Sequence, residues 1–180
     1  MWKILTICLL AAASAMAQIS PMHSFSLQDE ELDDYKVSGS VRMNHCLAQG
    51  FTKINGSLSA QNRCLFEDLA VNGDCSLKQC VVKGGLYARG TLVLDYTLVQ
   101  EDIIAPAREI NLLQTRVSGD ITVKKVNNFP GKQIVHIRRG SSVDGNITFD
   151  SKNGEVHLYK GSKFLGATVG GKIIRFAQGE

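Results

Sequence analysis

The sequence predicts an all-β fold: a single-stranded, right-handed parallel β-helix (β-solenoid) with short coils of 17–21 residues, occupying residues 37–176. Three observations predict it. Gly39, Gly56, Gly73 and Gly90 stand 17 residues apart and share their flanks, "VSGSV", "INGSL", "VNGDC" and "ARGTL". Aligning on them produces apolar columns: Val41, Leu58, Cys75 and Leu92 form one, and Met43, Ala60, Leu77 and Leu94 form the next, two residues on. Within each repeat, apolar residues alternate with polar ones over short runs, which is the period of a strand.

An antiparallel sandwich is the alternative, because Asn55-Gly56 and Asn72-Gly73 also suit hairpin turns. Hairpins, however, do not require the same column chemistry every 17 residues. A coil that returns one strand spacing higher does, since each residue then stacks on its counterpart. A left-handed hexapeptide helix would show an apolar residue every six positions, and "GSLSAQNRCLFEDLAVN" does not. Roughly seven or eight rungs at about 4.8 Å each make a rod on the order of 35 Å long.

In chain order, residues 1–17 read as a secretory signal peptide: Lys3, an apolar run from Ile4 to Ala13, and Ala15-Met16-Ala17 as a cleavage site before Gln18. Cys8 leaves with it, because Ile7 is too bulky to precede a lipoprotein cysteine. The mature chain is therefore expected in the periplasm or outside the cell, with no stable membrane span. Residues 18–36 carry Asp29, Glu30, Glu31, Asp33 and Asp34 and read as an acidic leader or N-terminal cap outside the stack.

The solenoid then runs from rung to rung through its glycines. The phrase around Gly39 returns as "VSGDITV" around Gly119 and "VDGNITF" around Gly145, and Gly166 follows Gly145 by 21 residues. Each of these glycines is expected at a corner with positive φ. After Gly90 the register slips by one, so that Ile110, Leu112, Thr115 and Val117 repeat Leu92, Leu94, Thr97 and Val99 at a spacing of 18. Arg63 is a misfit in a column of small residues, and a local bulge that brings Cys64 inward resolves it. Residues 124–132, "KKVNNFPGK", break the period with Pro130-Gly131 and read as a projecting loop. Residues 177–180 form a C-terminal tail.

Charge and motifs exclude several functions. The formal net charge of +3 falls to +2 without Lys3 and is spread too evenly to predict a nucleic-acid partner. No GxSxG, HExxH, P-loop or dinucleotide fingerprint is present, and no cofactor is expected. Asp74, Asp120 and Asp144 sit beside or just after the glycines and read as turn hydrogen-bonders. His136 and His157 repeat at 21 residues and read as an outward, exposed ladder. Two imidazoles are too few for a tight metal site, and Arg138, Arg139 and Lys160 would repel a cation. Cys46 and Cys80 lie two rungs apart, about 9.6 Å, which is too far for a disulfide. Cys64 lies between them and suits a pairing with either Cys46 or Cys80, with Cys80 the favoured partner; burial of all four mature cysteines as reduced core residues is the alternative.

The recurring V-x-G-[SDN]-[IVL]-x-[VLA] phrase and "GSSVDGNITF…NGEVHLYKGSKFLGATVGGKII" resemble bacterial polymer-forming, bactofilin-like short-coil β-helix proteins. Within that group the likeness is to small exported relatives in Gram-negative bacteria, over Val37 to Ile174. The resemblance implies a rod that polymerises end to end without nucleotide. The signal peptide departs from the cytoplasmic bactofilins, so their cytoskeletal role is not carried over.

The expectation is an exported, non-enzymatic structural or scaffold protein that self-associates through its β-helix ends as a dimer or polymer. Ile173, Ile174 and Phe176 are the expected assembly edge, because an unpaired strand templates pairing. Cell-envelope components are the further partners considered. A glycan- or surface-binding module is the alternative, although Tyr87, Tyr96, Phe129 and Tyr159 form no column; an enzyme ranks third.

Overall fold

Each repeat contains three short apolar-polar alternations, and each alternation becomes one strand of a three-sided coil. We describe the computed structural model over residues 24–177. The coils stack into a β-solenoid of about nine turns, with no helix among the described residues. The signal-peptide reading of residues 1–17 lies outside the described residues, as do residues 178–180 of the tail.

The first face is a nine-stranded parallel sheet: Ser24–Gln28, Ser40–Asn44, Leu58–Gln61, Cys75–Lys78, Leu92–Asp95, Glu109–Leu113, Gln133–Arg138, Gly154–Tyr159 and Gly171–Phe176. One inward column runs Val41, Leu58, Cys75, Leu92, Ile110, Val135, Val156 and Ile173, with Leu92 over Ile110 as the slipped register requires. The second face is built of very short strands such as Val81–Val82, Leu98–Val99, Arg116–Val117, Ser142–Val143 and Lys163–Phe164. The third holds Leu86–Ala88, Ile103–Ala105, Ile121–Val123, Ile147–Phe149 and Thr168–Val169. In the early turns the second and third faces run together in Leu47–Asn55 and Leu65–Val71. Because all three faces point their apolar residues to one axis, a single core results, with Val41, Leu77, Leu94, Ile110 and Val156 among its buried members.

Nine first-face strands exceed the seven or eight rungs expected, and the extra one comes from the acidic segment. From Ser24 on, this segment lies inside the stack and forms its first rung. Ser24–Gln28 pairs with Ser40–Asn44, Glu31–Leu32 with Leu47 and Ala48, and Tyr35–Ser38 with Thr52 to Asn55. Its acids face solvent, while Phe25, Leu27, Leu32, Tyr35 and Val37 pack on the core. Residues 124–132 leave the period as expected, between Ile121–Val123 and Gln133–Arg138. Gln133 fastens the return by donating to the carbonyls of Ala107 at 2.7 Å and Lys124 at 2.8 Å.

The glycines are required for a different reason from the one expected. Only Gly39 of the repeat set has positive φ, at 135°. At Gly56, Gly73, Gly90, Gly119, Gly145 and Gly166, a Cβ would lie closer than 3.0 Å to the backbone of the turn beneath. Space, rather than left-handed backbone, excludes a side chain there.

They also form two columns instead of one. Gly39, Gly56, Gly73 and Gly90 occupy the corner between the third and first faces, whereas Gly119, Gly145 and Gly166 occupy the corner between the second and third. The shared phrase reflects shared corner crowding, not a shared position.

The left-handed backbone sits instead at the remaining corner, between the first and second faces. His45, Arg63, Gln79, Tyr96 and Gln114 adopt φ of 55°, 64°, 55°, 50° and 46° there, followed by Gly140 at 78° and Gly161 at 86°. Asn62 joins Arg63 at φ 58°, which is the local insertion that turns Cys64 inward.

Candidate functional site at the C-terminal turns

Directly after each left-handed corner residue comes a small residue with one donor: Cys46, Cys64, Cys80, Thr97, Thr115 and Ser141. Each closes the corner in the same way, by donating to a backbone carbonyl two or three residues back. Cys64 reaches Gln61 O at 3.1 Å, Cys80 reaches Lys78 O at 3.2 Å and Thr115 reaches Leu113 O at 2.9 Å. The side-chain atom also accepts from the turn beneath, with Cys46 N–H at 3.4 Å from Cys64 Sγ and Thr97 N–H at 3.3 Å from Thr115 Oγ1.

The structure thus places Cys46, Cys64 and Cys80 on three successive turns, all buried and all free thiols. Hydrogen bonding from Cys80 lowers the pKa of Cys64, and the same contact raises that of Cys80. Cys75 is elsewhere, alone in the core of the first face, where burial pushes its pKa up to about 12.

Side-chain carboxylates close the corner between the second and third faces. Asp34, Asp68, Asp102 and Asp120 accept from the backbone N–H of Phe51, Gly85, Asp120 and Asn146, each at 2.7–2.8 Å. Asp74 does the same for Thr91 at the other glycine corner, at 2.8 Å. The turn-bonding role expected of Asp74 and Asp120 is therefore seen. Asp144 differs: it pairs with Arg116 on the outer surface at 2.9 Å. The Asp34, Asp68 and Asp102 series, at intervals of 34 residues, was visible in the sequence as twice the repeat.

His136 stacks on His157 as the repeat predicts, but the pair is not exposed. His136 is only 8% exposed, because long side chains from three turns cover the outer face of the first sheet. Arg138 Nη2 donates to His136 Nδ1 at 3.1 Å, so the ring proton belongs on Nε2, which faces Glu109 Oε1 at 3.4 Å. The Arg138 guanidinium also lies over the Tyr159 ring at 4.7 Å, and Tyr159 stacks on Phe176 at 4.7 Å and 11°.

Beneath them, Glu155 collects Lys132 at 2.6 Å, His157 at 2.9 Å and Lys172 at 3.5 Å. The Lys132 and His157 contacts hold its carboxyl at about 2. One carboxylate thereby ties the projecting loop, the eighth first-face strand and the ninth.

The expected assembly edge divides. Gly171–Phe176 pairs only with Gly154–Tyr159 among the described residues, so its other edge is open. Ile173 ends the inward column and is 38% exposed, and Leu165 and Val169 nearby are 70% and 55% exposed. Ile174 points outward instead, over His157. Phe176 is half committed: it packs on Tyr159 and His157 yet stays 37% exposed.

A shallow groove of about 690 Å³ follows the left-handed corner, lined by His45, Arg63, Gln79, Tyr96, Gln114 and Arg116 among others. Compared with family models, curated proteins and solved structures, the chain matches none of them.

Proposed function

We propose that this chain is an exported, non-enzymatic scaffold protein that self-associates through the ends of its β-helix. The observation that carries this reading is the open C-terminal edge, where Ile173, Leu165 and Val169 expose apolar surface beside an unpaired strand. An edge of this kind pairs with another strand unless charge, a bulge or a cap prevents it. The likeness of the repeat phrase to polymer-forming β-helix proteins supports the same reading, and the leader at residues 1–17 supports export.

Light scattering on the mature chain from Gln18 tests it. The mass is expected to rise with concentration in the native protein and to stay monomeric in Ile173→Lys. A native protein that remains monomeric at high concentration defeats the reading. Export is tested separately: the chain recovered from a Gram-negative host should begin at Gln18.

A second reading, a glycan- or surface-binding module, is favoured by the corner groove. Tyr96 is 53% exposed there, between the amide side chains of Gln79 and Gln114. A glycan array with Tyr96→Ala as control decides it, since loss of a hit in the variant is required.

A further inference from the structure

The charge that looks evenly spread along the sequence is segregated between the two ends of the rod. Residues 24–39, the first turn, carry Asp29, Glu30, Glu31, Asp33 and Asp34 against Lys36 alone, a net of −4. Residues 160–177, which hold the last strand of each face, carry Lys160, Lys163, Lys172 and Arg175 and no acid, a net of +4. Glu30, Asp33, Lys163 and Arg175 are exposed. Nine first-face strands at about 4.8 Å put the two charged rings on the order of 38 Å apart. That is several times the screening length of about 8 Å at physiological salt, so the rings do not neutralise each other within one molecule.

From this polarity we infer that the rods join head to tail, the acidic first turn of one copy seating on the basic last turns of the next. The inference rests on the self-association proposed above and adds its direction. Joining two C-terminal ends would face +4 with +4, and joining two N-terminal ends would face −4 with −4. Only the head-to-tail arrangement brings opposite charges into contact range.

Strand direction agrees. Every strand pair within the rod is parallel, including those of the first and last turns. Head-to-tail stacking continues that pattern across the junction. Two of the three inward columns also match in kind, since Phe25 would meet Ile173 and Leu32 would meet Phe164, while Leu27 would meet Arg175.

Arg175 reinforces this polarity. It falls in the inward column above Leu158, where earlier turns hold Ile137 and Leu112. A cation in that place opposes pairing with the same end of a second copy.

Two variants of the mature chain test the direction. One carries Glu30→Lys with Asp33→Lys and has its acidic end neutralised; the other carries Lys163→Glu with Arg175→Glu and has its basic end neutralised. All four positions are exposed, and circular dichroism melts confirm that each variant folds. Head-to-tail joining predicts that each variant alone is monomeric in light scattering, while an equimolar mixture forms heterodimers that stop at two chains.

If the first variant alone associates like the native chain, the junction is C-terminal to C-terminal and the inference is overturned. If the second does so, the junction is N-terminal to N-terminal and the inference is overturned likewise. In both cases self-association itself survives. A monomeric native protein instead removes the underlying reading. Salt supplies a variant-free check: association of the native chain should weaken by about tenfold or more from low salt to roughly 0.5 M, where the screening length approaches contact distance. Association that strengthens with salt overturns the inference.

Discussion

His136 and His157 meet edge to face across adjacent turns, with ring centroids 4.9 Å apart and ring planes at 89°. Their outer sides are closed by Tyr159 and Phe176, so the two rings belong to a small packed layer on the outside of the first sheet. That layer holds the last strand, which has no neighbour beyond it among the described residues.

Phe176→Ala should therefore loosen the last strand while leaving the central turns unchanged. An aromatic contact of this type contributes about 1 kcal/mol. Amide exchange in residues 171–176 should accelerate roughly fivefold at that magnitude, whereas exchange in Leu92–Asp95 should not move. Uniform acceleration would show that the layer does not act locally.

Acid should release the same region. Glu155 titrates at about 2 in the folded chain against an ordinary 4.5, because Lys132 and then His157 favour its ionised form. A depressed folded pKa contributes stability that is complete above the ordinary value and is lost as pH falls from about 4.5 towards 2. Denaturant midpoints measured down through this window should fall in the native chain. Glu155→Gln should be less stable at neutral pH and should show a flatter descent. Identical slopes would remove Glu155 as a contributor.

The two kinds of corner predict opposite responses to substitution. Gly73→Ala adds a Cβ 2.5 Å from the Gly56 carbonyl oxygen, and should destabilise by about 1–3 kcal/mol or more. Gln79→Gly places glycine where φ is 55° and should be neutral or stabilising by up to about 1 kcal/mol. Thermal melts of the two variants compare them directly. Equal losses would mean that crowding and backbone handedness are not separated between corners in this way.

Cysteine chemistry should follow the corner column. Oxidation of the purified chain is expected to join Cys64 to Cys80, which hold the same corner position on adjacent turns. Mass spectrometry without reductant should find the protein lighter by two hydrogens, and Cys80→Ser should abolish or reroute the link. Cys75, buried and with its pKa at about 12, should resist alkylation until the chain unfolds. A link that includes Cys75 would contradict the register, which sets it among Leu58 and Leu92 on the first face.

Much of the fold was legible because parallel stacking repeats its chemistry at every turn. The columns headed by Val41 and Met43 were readable as columns, and so was the slip that sets Ile110 over Leu92. The first turn was harder to see. Its acids follow the rule for solvated segments, and Phe25 and Leu27 are too few to announce a strand without Val41 and Met43 beneath them. The burial of the histidines was not legible because their cover comes from Arg138, Tyr159 and Phe176, whose proximity depends on three stacked turns.

By itself, then, the sequence determined the period, the strand character and the inward residues, and with them the solenoid. Apolar alternation and a constant repeat leave few other ways to bury those columns. The tertiary structure decided which corner each glycine occupies, since "VNGDC" and "VDGNI" are locally alike and differ only in which faces they join. It also decided that positive φ belongs to His45, Gln79 and Tyr96, because a corner's handedness is set by the strands it connects. Finally, it turned a small net charge into a rod with opposite ends, a property of stacking order that composition does not contain.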